Sequence, residues 1–425
     1  MGLIKLREPS LKRSITWVQG TALTIGAVLG CGILVLPSIT ANNAGPASLL
    51  SWAIMSLLAF PIVLTIAYLA KIIPSAGGIT AYVGHAFGTR TSTILSWIML
   101  GSIPVGVPTI ALTGAYYLNN LLPTNRWGTV CIAALILLTS LLLHVRGIDL
   151  SAKVSVAVIC VIFTLLVTAV IVAFPHVKSS SFMPFVPHGW FSVGSASVVI
   201  FFSFVGWEMI PPLAEEFKRP ERDITISLII GAIVVSVLYL SISFVTVGTQ
   251  AYGANKGVSS LSLLISKGWG RIGTVTTTLL ALFITFSTVH ANLAGFSRMV
   301  YAQARDGHFP RILAKIHPKY RTPISVLFVL GVIFTLILFI YGTVRPNLET
   351  LLKGPSVVFI TSYIFTMLAA LKIIRPLTVG WFMALISLLI TVIILFFSGW
   401  AILYPLALAI IGGVYLFRTK IGGRL

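Results

Sequence analysis

The sequence predicts an all-α polytopic membrane protein with twelve transmembrane helices, and three observations carry that reading. Hydrophobic residues make up 57% of the 425 positions and charged residues only 9%, against about 25% charged in soluble domains. Mean hydropathy is +1.03. Apolar runs of about 20 residues recur along the chain, long enough to cross a hydrocarbon core of roughly 30 Å as helices. The short alternating segments of a membrane barrel are absent.

The spans are predicted at 15–40, 46–72, 92–120, 127–145, 153–174, 193–217, 224–249, 272–300, 323–342, 353–373, 377–397 and 400–417. No large soluble domain fits between them, so 1–425 reads as a single membrane domain. The longest connection, 300–322, is basic and expected to be part helix, part loop. The net charge of +20 does not suggest a nucleic-acid partner, because the basic residues lie in short connections with no aromatic-basic stripe. Their placement gives orientation instead. Arg126, Lys178, Lys256, Lys267, Arg271, Arg345 and Lys353 fall on one side, and the remaining Lys and Arg on the other. By the positive-inside rule both termini are expected to be cytoplasmic in a cell membrane, with the lipid bilayer around the spans. Lys5, Arg7, Lys12 and Arg13 precede a span too long for a cleavable signal. Cys31, Cys131 and Cys160 lie in apolar runs without disulfide or metal spacing and are expected to be small core residues.

Two spans are interrupted. The first contains "TALTIGAVLGCGILVLP" (21–37), with Gly26, Gly30 and Gly32 close together, each costing roughly 1 kcal/mol of helix stability relative to alanine. The sixth, "VGSASVVIFFSFVGWEMIPPLAEEF" (193–217), has Gly206 followed by Pro211 and Pro212. These are the first spans of two successive five-span blocks, 15–174 and 193–373. Five is odd, so the second block enters the membrane from the opposite side. That is the layout of a 5+5 inverted repeat with two extra C-terminal helices at 377–417, and paired interruptions point to a midplane binding site.

A helix interrupted in the membrane exposes N–H and C=O groups that need partners. A half-helix beginning at Gly30–Gly32 offers free N–H groups and a positive dipole end to an anion such as a carboxylate. The carbonyls at 25–28 accept from an ammonium group, so a zwitterion fits between the two. The bland alternative is that Gly26 and Gly30 form a small-xxx-small pair for close helix packing.

Several segments resemble the amino acid–polyamine–organocation (APC) superfamily. "IGAVLGCGI" is similar to its glycine-rich first helix, "IPSAGGITAYVGHAFG" (73–88) to its second inner segment, "FSFVGWEMIPPLAEEFKRPERDI" (202–224) to its sixth helix and exit, and "SRMVYAQARDGHFP" (297–310) to the segment after helix eight. The match covers 17–323 in order. Within the superfamily the chain looks nearest to the bacterial branch exporting methionine and branched-chain amino acids, where a glutamate also follows the glycine of helix six and where "IPVGVP" (103–108) has its counterpart. The resemblance implies the 5+5 fold, alternating access and secondary active transport of amino acids. The members implied are exporters or proton-linked antiporters, and import and export share one thermodynamic cycle. It also implies substrate capture by the backbone at Ala27, Val28, Gly30, Cys31 and Gly32 and at Phe204, Val205 and Gly206. Phe202 stands where the family places an aromatic gate, and helix eight supplies Thr288 and Asn292. One departure concerns coupling: the stretch 156–166 lacks the mid-helix lysine of some proton-coupled relatives, and Ser287 with Thr288 gives weak support for sodium.

Glu208 is the acidic residue lying well within a span. An intramembrane carboxylate must face the bundle or a wet cavity, so it reads as a proton carrier, a structural hydrogen-bonding group or a cation-recognising group. His290 in the eighth span is the second ionisable candidate for proton coupling, against a role as a neutral hydrogen-bonding partner. The cluster "EEFKRPERD" (215–223) reads as a salt-bridged anchor or inner gate with Arg298 and Arg305 nearby. No Walker loop, metal-ligand pair or Gly-x-Ser-x-Gly elbow is present, so no enzyme activity, metal or cofactor is expected. Neutral, aliphatic amino acids are the expected substrates, with Val28, Ile103, Phe202 and Val205 lining the cavity. A cationic amino acid carrier using Glu208 and an amino-acid-sensing receptor are the competing readings.

Overall fold

A computed structural model describes residues 11–30, 32–119, 121–252, 260–344, 348–396 and 398–421. Among them are fourteen α-helices and no strand. The helices are α1 (Trp17–Val28), α2 (Gly32–Ala44), α3 (Ser48–Ile72), α4 (Ile79–Phe87), α5 (Thr89–Leu118), α6 (Arg126–Val145) and α7 (Ile148–Ala173). After them come α8 (Trp190–Phe201), α9 (Pro220–Gly248), α10 (Ser260–Arg305), α11 (Ile324–Val344), α12 (Leu348–Ile373), α13 (Val379–Phe396) and α14 (Leu403–Ile421).

Among the described residues, ten segments are long and apolar enough to cross a membrane. α1, α2 and α8 have 12, 13 and 12 residues. At about 1.5 Å per residue each reaches roughly 18–20 Å, short of a bilayer core. The outward faces are apolar: Phe328 on α11 is 73% exposed and Phe396 on α13 is 81% exposed. Such a continuous apolar surface marks a chain that sits in lipid.

Lipid is as apolar as leucine, so helices there associate through close packing rather than burial. The bundle follows that rule. α1 packs against α9, α7 and α10, and α5 lies among α10, α12, α14 and α6. At the α1–α9 contact a Cβ built on Gly231 would lie 2.5 Å from the Thr24 methyl. The glycine is what lets the two backbones approach.

Three expectations need correction or extension. Cys131 and Cys160 are exposed rather than in the core, because hydropathy along a span does not say which face looks outward. α4 was not anticipated, since its nine residues are too few to register as a span. α10 begins at Ser260 and runs for 46 residues, well beyond 272–300. The connection 300–322 is part helix and part loop as expected, with a 3-10 turn at Arg311–Ala314.

Candidate functional site

Both predicted interruptions are present. α1 stops at Val28 and α2 starts at Gly32, the Leu29 N–H bonding back to Ile25 C=O at 2.8 Å. The three glycines do different jobs. A Cβ on Gly26 would sit 2.3 Å from Ser287 Oγ of α10, and one on Gly32 would sit 2.4 Å from Ser203 Oγ beside the second interruption. These two are close-packing positions. Gly30 has room: its nearest neighbours would be Thr288 at 3.9 Å and Val28 C=O at 4.0 Å. A Gly30→Val variant is therefore expected to fold and melt like the native chain while filling the space beside Thr288. Proteoliposome counterflow should fall roughly tenfold or more, equivalent to about 1.4 kcal/mol. Native flux would show that this space carries no cargo.

The second interruption follows α8. A 3-10 turn at Phe202–Phe204 ends in extended backbone at Val205, and Gly206 adopts φ +132°, a conformation that side chains disfavour. The chain continues in 3-10 turns at Trp207–Met209 and Pro211–Glu216 rather than as an α-helix. Pro211 and Pro212 supply no backbone donors, which explains the loss of regular i→i−4 bonding. A Cβ on Gly206 would lie 2.7 Å from the Ala27 carbonyl oxygen. The two interruptions are thus in backbone contact.

Glu208 is buried at this junction. One carboxylate oxygen accepts from the Gly206 N–H at 3.0 Å and from the Tyr363 hydroxyl of α12, so the Gly206 amide is already engaged. The other oxygen, Oε1, is buried without a hydrogen-bond partner among the described residues. Tyr239 of α9 completes the junction: its hydroxyl proton is shared between Val28 C=O at 3.2 Å and Ser203 C=O at 3.0 Å. The ring is held between Trp52 and Phe204, with centroids at 5.0 and 5.2 Å.

Ala27, Val28, Phe204 and Ile103 are buried, and Val205 is partly buried. Asn292 donates to Thr288 C=O at 2.8 Å along α10. Cys31 lies outside the described residues, as does the side chain of Phe202. A cavity of about 380 Å³ lies elsewhere, at the far end of α2, lined by Asn42, Gly45, Pro187, His188 and Tyr252. No group of three or more His, Cys, Asp or Glu able to hold a metal occurs among the described residues.

His290 is not a lone histidine. It stacks on His144 of α6 at 4.2 Å between centroids. Sequence reasoning missed His144, Tyr239 and Tyr363, since a single polar group in an apolar run gives no sign of what it faces. Nor is Glu208 the one buried acid, because Glu216 and Asp223 are also buried.

The acidic cluster forms the expected salt bridges. Glu216 pairs with Arg298 of α10 at 2.8 and 3.2 Å, both side chains 0% exposed. Glu215 accepts from Arg305 at 2.9 Å and from Ala76 N–H at 3.1 Å. The N-terminal segment joins them: Ser14 and Ile15 N–H both donate to Glu216 C=O, and Lys218 N–H donates to Ile15 C=O. Ile15 and Phe217 form a short parallel bridge.

Apolar outer faces, half-length helices and two touching backbone interruptions define a multi-pass helical membrane protein with a broken-helix centre. The sequence profile of the amino acid permease family matches residues 15–410. The chain belongs to that family, as an APC-superfamily transporter related to the exporter branch. It is 58% identical over 414 residues to the uncharacterized amino acid permease YecA of Bacillus subtilis, covering 97% of each chain. It is 29% identical over 419 residues to the L-methionine/branched-chain amino acid exporter YjeH of Escherichia coli, covering 96% of this chain and 97% of that one. It is 29% identical over 390 residues to cationic amino acid transporter 5 of Arabidopsis thaliana, covering 88% and 67%. The family is one of amino acid transport, not of enzymes.

Proposed function

We propose that the chain is a secondary transporter of neutral, aliphatic amino acids, methionine and the branched-chain group, working as an exporter or proton-linked antiporter in the cytoplasmic membrane. In this reading twelve spans form a 5+5 inverted repeat, 15–174 and 193–373, with 377–417 appended and both termini cytoplasmic. The observation that carries it is the meeting of the two interruptions, where a Gly206 Cβ would come within 2.7 Å of Ala27 C=O. A zwitterion bound there meets N–H groups at the start of α2 and carbonyls at the end of α1. Ala27, Val28, Gly30, Cys31, Gly32, Phe202, Phe204, Val205, Gly206 and Asn292 form the substrate site. The relative named for methionine and branched-chain export covers almost the whole chain, which supports the aliphatic class. Glu208 and His290 are the residues for proton coupling.

One observation favours a second reading, a cationic amino acid carrier: Glu208 Oε1 is buried without a partner among the described residues, as a group awaiting a cation would be. Counterflow of labelled leucine in proteoliposomes separates the two. Competition by unlabelled methionine and isoleucine but not arginine supports the aliphatic reading. Competition by arginine that Glu208→Gln removes supports the cationic one. Absence of counterflow with every amino acid tried sinks both.

A further inference from the structure

The geometry points to a single proton-binding site shared by His144 and His290, which fastens α7 to α6 and α10 while unprotonated and frees α7 when a proton binds. It deepens the transport reading, on which it rests only for the link to cargo. Two main-chain carbonyls settle where the ring protons are. His144 Nε2 lies 2.9 Å from His290 C=O, and His290 Nε2 lies 3.1 Å from Ser151 C=O and 2.7 Å from Ser151 Oγ. A carbonyl only accepts, so both Nε2 atoms carry hydrogen. In neutral rings both Nδ1 atoms then accept: His290 from the Ser140 hydroxyl at 3.0 Å and His144 from the Ser151 hydroxyl at 3.1 Å. Every polar group is satisfied in one closed circuit running Ser140, His290, Ser151, His144 and back to His290 C=O. The circuit ties α6, α7 and α10 together.

Another proton reverses one bond of that circuit: on His144 Nδ1 it donates to Ser151 Oγ, on His290 Nδ1 to Ser140 Oγ, and the serine hydrogen turns out of the circuit. What the closed arrangement lacks is a charge to balance the proton. Two charged rings at 4.2 Å repel, so the pair takes one proton, not two. Phe286 covers His290 with centroids at 5.3 Å, and both histidines and both serines are buried.

Among the described residues, no carboxylate is bonded to either ring to balance an added charge. On α7, Asp149 is bound to Lys12 and Lys153 is exposed. Arg146 after α6 and Arg90 on α5 are exposed. α1, α2 and α11 carry no Asp, Glu, Lys or Arg. The acids of α9, Glu221 and Asp223, stand in its first turn, and Glu208 is engaged by Gly206 and Tyr363. Glu215 is held by Arg305. Arg298 on α10 is paired with Glu216, which balances its charge. The protonated pair is therefore accommodated only where Ser151 has moved away and water reaches the rings. By linkage, acid favours that arrangement.

The test uses the full chain in lipid nanodiscs with isotope-labelled histidine, read by imidazole nitrogen NMR between about pH 8 and about pH 4, where imidazole ordinarily titrates. At the upper end both rings should give Nε2–H signals. Towards acid the signals assigned by His144→Gln and His290→Gln should change together, as one proton. Hydrogen exchange of the first turns of α7 should rise in the same step. Gln at 144 keeps a donor for His290 C=O, and in the double variant His144→Gln/His290→Gln neither side chain takes a proton, so the acid-induced rise in exchange should be lost. Should that variant fail to fold, Ser151→Ala serves instead, raising α7 exchange before acid is added. Independent titration of the rings, titration without a change in α7, or neutral rings throughout would each overturn the proposal. Counterflow plays no part in this readout, so failure of the transport reading would be seen separately.

Discussion

Gly206→Ala is expected to abolish transport, by about 100-fold or more, and to lower the melting temperature. Two costs combine at this position. A side chain at φ +132° costs roughly 1–3 kcal/mol in backbone strain. The added Cβ also meets Ala27 main-chain oxygen at 2.7 Å and carbon at 2.9 Å, and main chain cannot swing aside as a flexible side chain can. Relief requires the two interruptions to part, which moves the Glu208 carboxylate held by the Gly206 N–H. Counterflow with thermal melting of the purified variant checks this. Native flux would show that contact between the interruptions is dispensable.

Arg298→Met is expected to give the largest loss of stability, about 3–5 kcal/mol, the usual consequence of leaving one partner of a buried ion pair without the other. Arg298 and Glu216 are both 0% exposed, and Glu216 uses both carboxylate oxygens on the guanidinium. Adding Glu216→Leu should restore most of the loss, since an apolar pair of similar volume often matches a buried ion pair. Thermal melting of both variants decides it. A single variant as stable as the native chain would mean that the pair contributes nothing to packing. By contrast, the Glu215–Arg305 pair is partly exposed, and such pairs are worth little.

Much of this architecture was legible because lipid imposes a simple length rule. Apolar runs must be about 20 residues, so most spans could be placed to within a few residues. The interruptions were legible because Gly30 with Gly32, and Gly206 with Pro211 and Pro212, cluster within a few residues, whereas single prolines such as Pro61 remain inside a helix. The three-dimensional partners were not. Tyr239 joins Val28 and Ser203 from 211 and 36 residues away in sequence. Tyr363 reaches Glu208 across 155 residues, and His144 reaches His290 across 146. Inside an apolar run, a tyrosine or histidine facing a carbonyl and one facing lipid look alike in the sequence. The same ambiguity put Cys131 and Cys160 in the core when they face outward. Glycine spacing likewise did not distinguish Gly26 and Gly32, which abut serines, from Gly30, which does not.

The pairing of Ile15 with Phe217 also governs how this end of the bundle can move. Ser14 and Ile15 are tied to Glu216 at 2.8 and 2.9 Å, and Lys218 returns the bond at 2.8 Å. Lys12 extends the tether to Asp149 at the head of α7. Residues 14 and 15 are thus laced by backbone bonds to the 3-10 turn at Pro211–Glu216 and the residues just after it, while the contact with α7 rests on an exposed ion pair. The lacing ends before Leu29 and Val205, where the backbone leaves the helical path.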